Sequence, residues 1–234
     1  MAATPFAHTC VGSKISSYMT NSLPTCGAVG GMGPIAAIGF LQLVVDLTSN
    51  ADTDQDHVKI VLEQDGTIPS RNPAIEAVVN VRRRNLDSSH PDAIAAKVLQ
   101  DEIGLHLAAN VKSLADRGVD YVVLLCNTVH FFAPYVHDVL QSYPNVQFLS
   151  IIELAADKVM NHYKANPGIG PCAILGQGGC LKSGLYQNAL GARGIDFYTL
   201  PETEDEMQVS PGARAKRAYL RGHIFACISL FART

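Results

Sequence analysis

The sequence predicts a parallel α/β fold, on three observations. Short apolar runs of strand length alternate with segments whose apolar residues recur at helical spacing, without hairpin signals. The run at 121–125 (Tyr-Val-Val-Leu-Leu) is apolar on both faces, as a strand inside a parallel sheet must be. Finally, Cys26-Gly27-Ala28-Val29-Gly30-Gly31 before one helical segment is echoed by Cys172-Ala173-Ile174-Leu175-Gly176-Gln177-Gly178-Gly179 before another, which suggests two lobes. A chain of 234 residues is long enough for one large domain or two small lobes.

Residues 26–31 read as a strand breaking into a Gly-rich turn, and 35–47 as the helix that follows. Residues 57–62 are a second strand, closed by the breaker-rich stretch 65–73, whose Pro73 opens a short helix through Val79. From Asp92 to Arg117 the positions Ile94, Val98, Ile103, Leu107, Val111 and Leu114 keep helical spacing, with Gly118 suited to the C-terminal cap and Gly104 a candidate break. Residues 121–125, 148–152 and 172–175 are further strands, and 153–163 and 185–193 further helices.

Composition narrows the function. With 47% hydrophobic and 17% charged residues the chain is globular, and a formal charge of -3 provides no field for nucleic acid or an anionic membrane. The basic run Arg82 to Arg84 is a solvated segment. No apolar stretch reaches the roughly 18 residues of a membrane-spanning helix. Six cysteines without CxxC spacing indicate neither a disulfide scaffold nor a zinc site, which places the chain in a reducing, cytoplasmic compartment. Residues 1–24 carry Lys14 as their one charge and read as a flexible extension, with organelle targeting the alternative.

Parallel sheets bind ligands beyond their strand C-termini, so the residues there carry the chemistry. Gly30-Gly31-Met32-Gly33-Pro34 is not GxGxxG, and Pro34 removes an N–H that a phosphate cradle would use, which argues against a dinucleotide. Cys126-Asn127-Thr128 sets a thiol, an amide and a hydroxyl directly after a strand; the thiol is a candidate base or nucleophile, or else a buried structural cysteine. His130 is a candidate partner for it or a packing residue. Arg71 and Lys182, at two strand ends, are either solvated cations or the pair that takes the two carboxylates of a diacid.

Four ordered motifs, Gly30 to Pro34, Thr67-Ile68-Pro69-Ser70-Arg71, Cys126-Asn127-Thr128-Val129-His130 and Lys182-Ser183-Gly184-Leu185-Tyr186-Gln187, resemble the signatures of the aspartate/glutamate racemase family over residues 25–206. The resemblance implies two flavodoxin-like lobes with pseudo-twofold symmetry, no cofactor, a small acidic amino acid as substrate, and a homodimer. It implies Cys126 as the base of one lobe, Met32, Asn127 and Thr128 bordering the substrate, and Arg71 and Lys182 on its carboxylates. The expected organisation is an extension at 1–24, a first lobe at 25–130, a partial second lobe at 131–206 and an atypical tail at 207–234.

The chain departs from the family pattern after about Glu206. No Gly-Cys-Thr-Glu segment supplies the second-lobe cysteine, and a basic stretch with Arg214, Lys216, Arg217 and Arg221 precedes the apolar run 224–231. Cys227 has the wrong neighbours for a second base, whereas Cys180, in the turn before Lys182, is either a ligand contact of the kind a Thr makes there or the possible proton donor on the opposite face. Racemisation impaired by the missing cysteine is therefore one expectation, and a catalytically silent dicarboxylate-binding remnant the other. A related decarboxylase or cis-trans isomerase is a third.

Overall fold

A computed structural model of the chain describes residues 23–48, 53 and 56–199. The tail expected at 207–234, Cys227 and all but the last two residues of the expected N-terminal extension lie outside the described residues.

The first sheet has the order β2-β1-β3-β4, all parallel, with β1 Cys26–Gly30, β2 Ile60–Gln64, β3 Tyr121–Leu124 and β4 Gln147–Leu149. Its helices are α1 Pro34–Leu47, α2 Arg71–Arg83, α3 Pro91–Asp116 and α4 Ala133–Leu140. A second, two-stranded parallel sheet pairs β5 Cys172–Ile174 with β6 Phe197–Thr199, accompanied by α5 Ile151–Ala165, α6 Gly178–Ser183 and α7 Leu185–Ala192. The expected parallel α/β class is observed. Because β4 pairs with β3, the first sheet includes residues as late as Leu149.

Alternation along the strands builds two unlike faces. Val29, Val122 and Leu124 join a core with Ile75, Ile103, Leu107, Val111, Phe132 and Val136 from α2, α3, α4 and the turn before α4. Ala28 and Val123 point the other way, toward α1. That face is thinly covered among the described residues. Ala37 is the one buried residue of α1, while Ile35 is 80% exposed and Leu47 67%.

Several boundaries differ from the sequence expectation for local reasons. The helix expected to open at Pro73 opens at Arg71: Pro73 sits in the first turn, where its missing N–H has no intrahelical partner to lose. Gly104 does not break α3, which runs unbroken for 26 residues. Its missing side chain makes room instead, since a Cβ there would lie 2.5 Å from the ring of Tyr135 on α4. The strand expected at 148–152 ends at Leu149, because the Ser150 hydroxyl accepts from the Glu153 N–H (3.4 Å) and caps α5. The short elements α4, α6 and β6 carry too few residues to show a period.

The β1–α1 turn depends on Gly31, whose φ is 92° and whose Cβ would stand 2.2 Å from the Asp65 carbonyl oxygen. Gly118 also has positive φ (72°) but open space around it. Gly31→Ala should thus cost about 2–4 kcal/mol, backbone strain plus overpacking, against about 1–2 kcal/mol of strain alone for Gly118→Ala. Urea unfolding of the two variants checks the difference.

Candidate active site

The parallel ladder delivers the ends of β1 and β3 to the same edge. The Leu125 N–H donates to the Val29 carbonyl (2.9 Å) as the last rung, so Cys126 is the first residue beyond it, alongside the Gly30-Gly31-Met32 turn. One 3-10 turn, 128–132, follows at once and is closed by the His130 N–H on the Asn127 carbonyl (3.2 Å). The half-buried thiol of Cys126 lies 3.3 Å from the buried hydroxyl of Thr128.

Cys126, Asn127 and Met32 line a common cavity of about 830 Å³, which continues between α1 and the start of α5 along the sheet face. Phe40, Leu43, Leu149 and Leu154 line that continuation, with Gln42 and Asp46 of α1 as its polar members. Of the residues singled out in the sequence, Met32, Cys126 and Asn127 therefore meet, and Thr128 touches the thiol.

Arg71 reaches the same corner from the first residue of α2. Its Nη2 donates to the Met32 carbonyl (3.1 Å) and its Nη1 to the Pro69 carbonyl (3.4 Å), while its buried Nε has no hydrogen-bond partner among the described residues. The guanidinium is thereby fixed beside the β1–α1 turn with N–H groups left for an anion. Lys182 stands on α6, not in the cavity wall, and its ammonium donates to Glu76 of α2 (2.9 Å). Both members of that pair are about half exposed, so its net worth is small.

Cys180, the third residue of α6, is buried. Burial pushes its thiol pKa up, and a charge on Cys126 pushes it up further. The α6–α7 segment thus sits against the Cys126 corner, with Gly179 so close to Asn72 that a Cβ would overlap the amide at 2.2 Å. A second link is the Tyr186 hydroxyl, which donates to Asn127 Oδ1 (2.9 Å). Neither Tyr186 nor Glu76 carries a sequence signal for these contacts, because pairs 59 and 106 residues apart leave no local spacing.

His130 does not reach the thiol. Its Nδ1–H donates to the Cys126 carbonyl (2.9 Å), its ring stacks on Phe148, and it is 4% exposed. It therefore braces the backbone of Cys126 as a neutral imidazole.

Residues 29–228 match the Asp/Glu/Hydantoin racemase family, a range that extends past the change of character at 206. The fold is similar to that of Picrophilus torridus aspartate racemase, at 24% identity and a TM-score of 0.52 over 78% of this chain and 64% of that one. It is similar also to an aspartate racemase homologue from Pyrococcus horikoshii OT3, at 15% identity and a TM-score of 0.54 over 79% and 67%. The chain thus spans about two thirds of the length of these neighbours. No helix among the described residues is long and apolar enough to cross a membrane, and no group of three His, Cys, Asp or Glu residues there is placed to hold a metal.

Burial drives the His130 pKa down to about 4, outweighing the backbone carbonyls that favour the charged ring. The unfolded imidazole titrates near 6.5, so between about 6.5 and 4 the unfolded chain binds the proton that the folded one refuses. Stability should fall by up to about 3 kcal/mol as pH drops through that window and flatten below it. Urea midpoints from pH 7 to 4 should show this loss in the parent chain and a much shallower slope in His130→Phe.

Proposed function

The chain belongs to the Asp/Glu/Hydantoin racemase family, and on that premise we propose that it racemises an acidic amino acid, aspartate or glutamate, by thiol chemistry without a cofactor. The observation that carries this reading is the corner where Cys126, half-buried at a strand end, meets the Met32 turn that Arg71 holds. Such a corner can take a carboxylate on a fixed cation while a sulfur sits within reach of the α-carbon.

In the proposed reaction the Cys126 thiolate takes the α-proton, the C–H bond breaks and an S–H bond forms, and the electron pair moves into the α-carboxylate. Arg71 and the Asn127 amide stabilise that developing charge, since no cofactor serves as an electron sink. Cys180 then gives its proton to the opposite face of the carbon, which inverts the centre and leaves Cys180 as the thiolate. Two neighbouring thiols do not both ionise readily, and the upward push on Cys180 from burial and from Cys126 favours one base and one acid. Lys182, released from Glu76, takes the side-chain carboxylate. Met32 and Thr128 border the substrate.

In deuterated buffer, the α-hydrogen of aspartate or glutamate should exchange in the parent chain and not in Cys126→Ala, with Cys180→Ala retaining exchange from one enantiomer while losing inversion. NMR with chiral chromatography reads both quantities. Exchange surviving in Cys126→Ala would remove Cys126 from the reaction, and full inversion in Cys180→Ala would remove Cys180. By calorimetry, Arg71→Ala should weaken binding of the amino acid about ten- to a hundredfold, the worth of a lost charge-assisted contact.

The same reading takes a cytoplasmic homodimer as the working form. The apolar residues that α1 leaves exposed, Ile35, Ile38 and Leu47 among them, supply the surface for a second copy. Sedimentation of Ile38→Asp should show weaker self-association than the parent chain, by about tenfold or more, as expected for a charge placed in an apolar contact.

A further inference from the structure

Asn127 is exposed and lines the cavity beside Cys126, and its side-chain carbonyl is already engaged: the Tyr186 hydroxyl donates to Oδ1 at 2.9 Å across a separation of 59 residues. Tyr186 is 5% exposed, and its hydroxyl hydrogen has no other acceptor among the described residues. Turning the amide over would set an NH2 against that hydroxyl and orphan a buried donor, so one orientation is strongly preferred. Burial, with the charge of Cys180 behind it, pushes the Tyr186 phenol up to about 12, so the hydroxyl remains a donor throughout the neutral range.

The consequence lies on the opposite side of the amide. With Oδ1 held by Tyr186, the Nδ2 group is left as a donor on a residue that shares a cavity wall with Cys126 and Met32, and Arg71 donates to the Met32 carbonyl of that wall. An amide turned the other way would present a carbonyl oxygen to an incoming carboxylate and repel it.

We propose that Tyr186 is a positioning residue that sets the Asn127 amide with its NH2 toward Cys126, and so makes the corner selective for a carboxylate over a neutral group of the same size. This rests on the racemase reading for its meaning but is tested apart from it. The probes are iodoacetate and iodoacetamide, which alkylate a thiolate by the same displacement, the S–C bond forming as iodide leaves, and which differ in carrying a carboxylate or a neutral amide. Peptide mapping by mass spectrometry gives the rate at Cys126 for each.

In Tyr186→Phe, which keeps the ring in the core, the ratio of the iodoacetate to the iodoacetamide rate should fall about tenfold with the iodoacetamide rate unchanged. Asn127→Ala should show the same fall, and adding Tyr186→Phe to it should do nothing more. An unchanged ratio overturns the inference, as does an equal rise of both rates, which would make Tyr186 a structural clamp on the α6–α7 segment. A second readout needs no variant: titrating the intact protein with succinate should shift the side-chain 15N–1H signals of Asn127, and signals that do not move at saturation overturn it equally. A chain that behaves as stated here yet exchanges no α-hydrogen refutes the racemase reading alone. One that exchanges α-hydrogen with an unaltered alkylation ratio refutes the role of Tyr186 alone.

Discussion

The last rung of the β1–β3 ladder, Leu125 N–H to the Val29 carbonyl, is the bond on which the site depends. It brings two parallel strands to an end side by side, so that the Gly31 turn and the Cys126 turn leave the sheet at one edge and at one height. Everything that follows is a short reach from there. Arg71 spans to the Met32 carbonyl, the Thr128 hydroxyl lies on the thiol, and the His130 ring braces the Cys126 carbonyl from the core side. A slip of one residue in β3 would exchange its two faces and turn Cys126 away from Met32.

The core side and the cavity side of this edge differ in kind. His130, buried and neutral, contributes no charge to the thiol, and Tyr186 stays protonated for the same reason of burial. Fixed charge at the edge comes from Arg71, tied to backbone carbonyls, and from Lys182, shared with Glu76. The site is thus built from neutral buried donors that orient and partly exposed cations that attract. That division suits a reaction in which charge develops on a carboxylate while a proton moves between sulfur and carbon.

Much of the scaffold was legible in the sequence because its longer elements repeat a period. The two-faced apolar run of β3 and the helical spacing of α3 identify themselves, and the Gly-rich breaks after β1 and β5 mark where strands end. Cys126, Asn127 and Thr128 were legible for the same reason, as residues forced to follow a strand end. What was not legible arises from contacts between distant residues. Gly104 reads as a helix breaker until the Tyr135 ring is found against it, and Lys182 as a free cation until Glu76 is found beside it. His130 could be paired with the thiol or packed in the core on sequence spacing, and only the 3-10 turn decides for the carbonyl. The three residues of β4 pair with β3 in the first sheet, too short a run to declare its sheet in the sequence.

In the proposed function an acidic amino acid sits at the edge where β1, β3, α2 and α6 converge. Hydrogen exchange by mass spectrometry, with and without saturating aspartate or glutamate, tests it most directly. The backbone around Met32, Arg71, Cys126 to Thr128 and Cys180 to Tyr186 should then exchange more slowly as one set. Protection confined to the separate cavity lined by His137, Phe148 and Asn188, or absent from the Cys126 turn while present elsewhere, would contradict it.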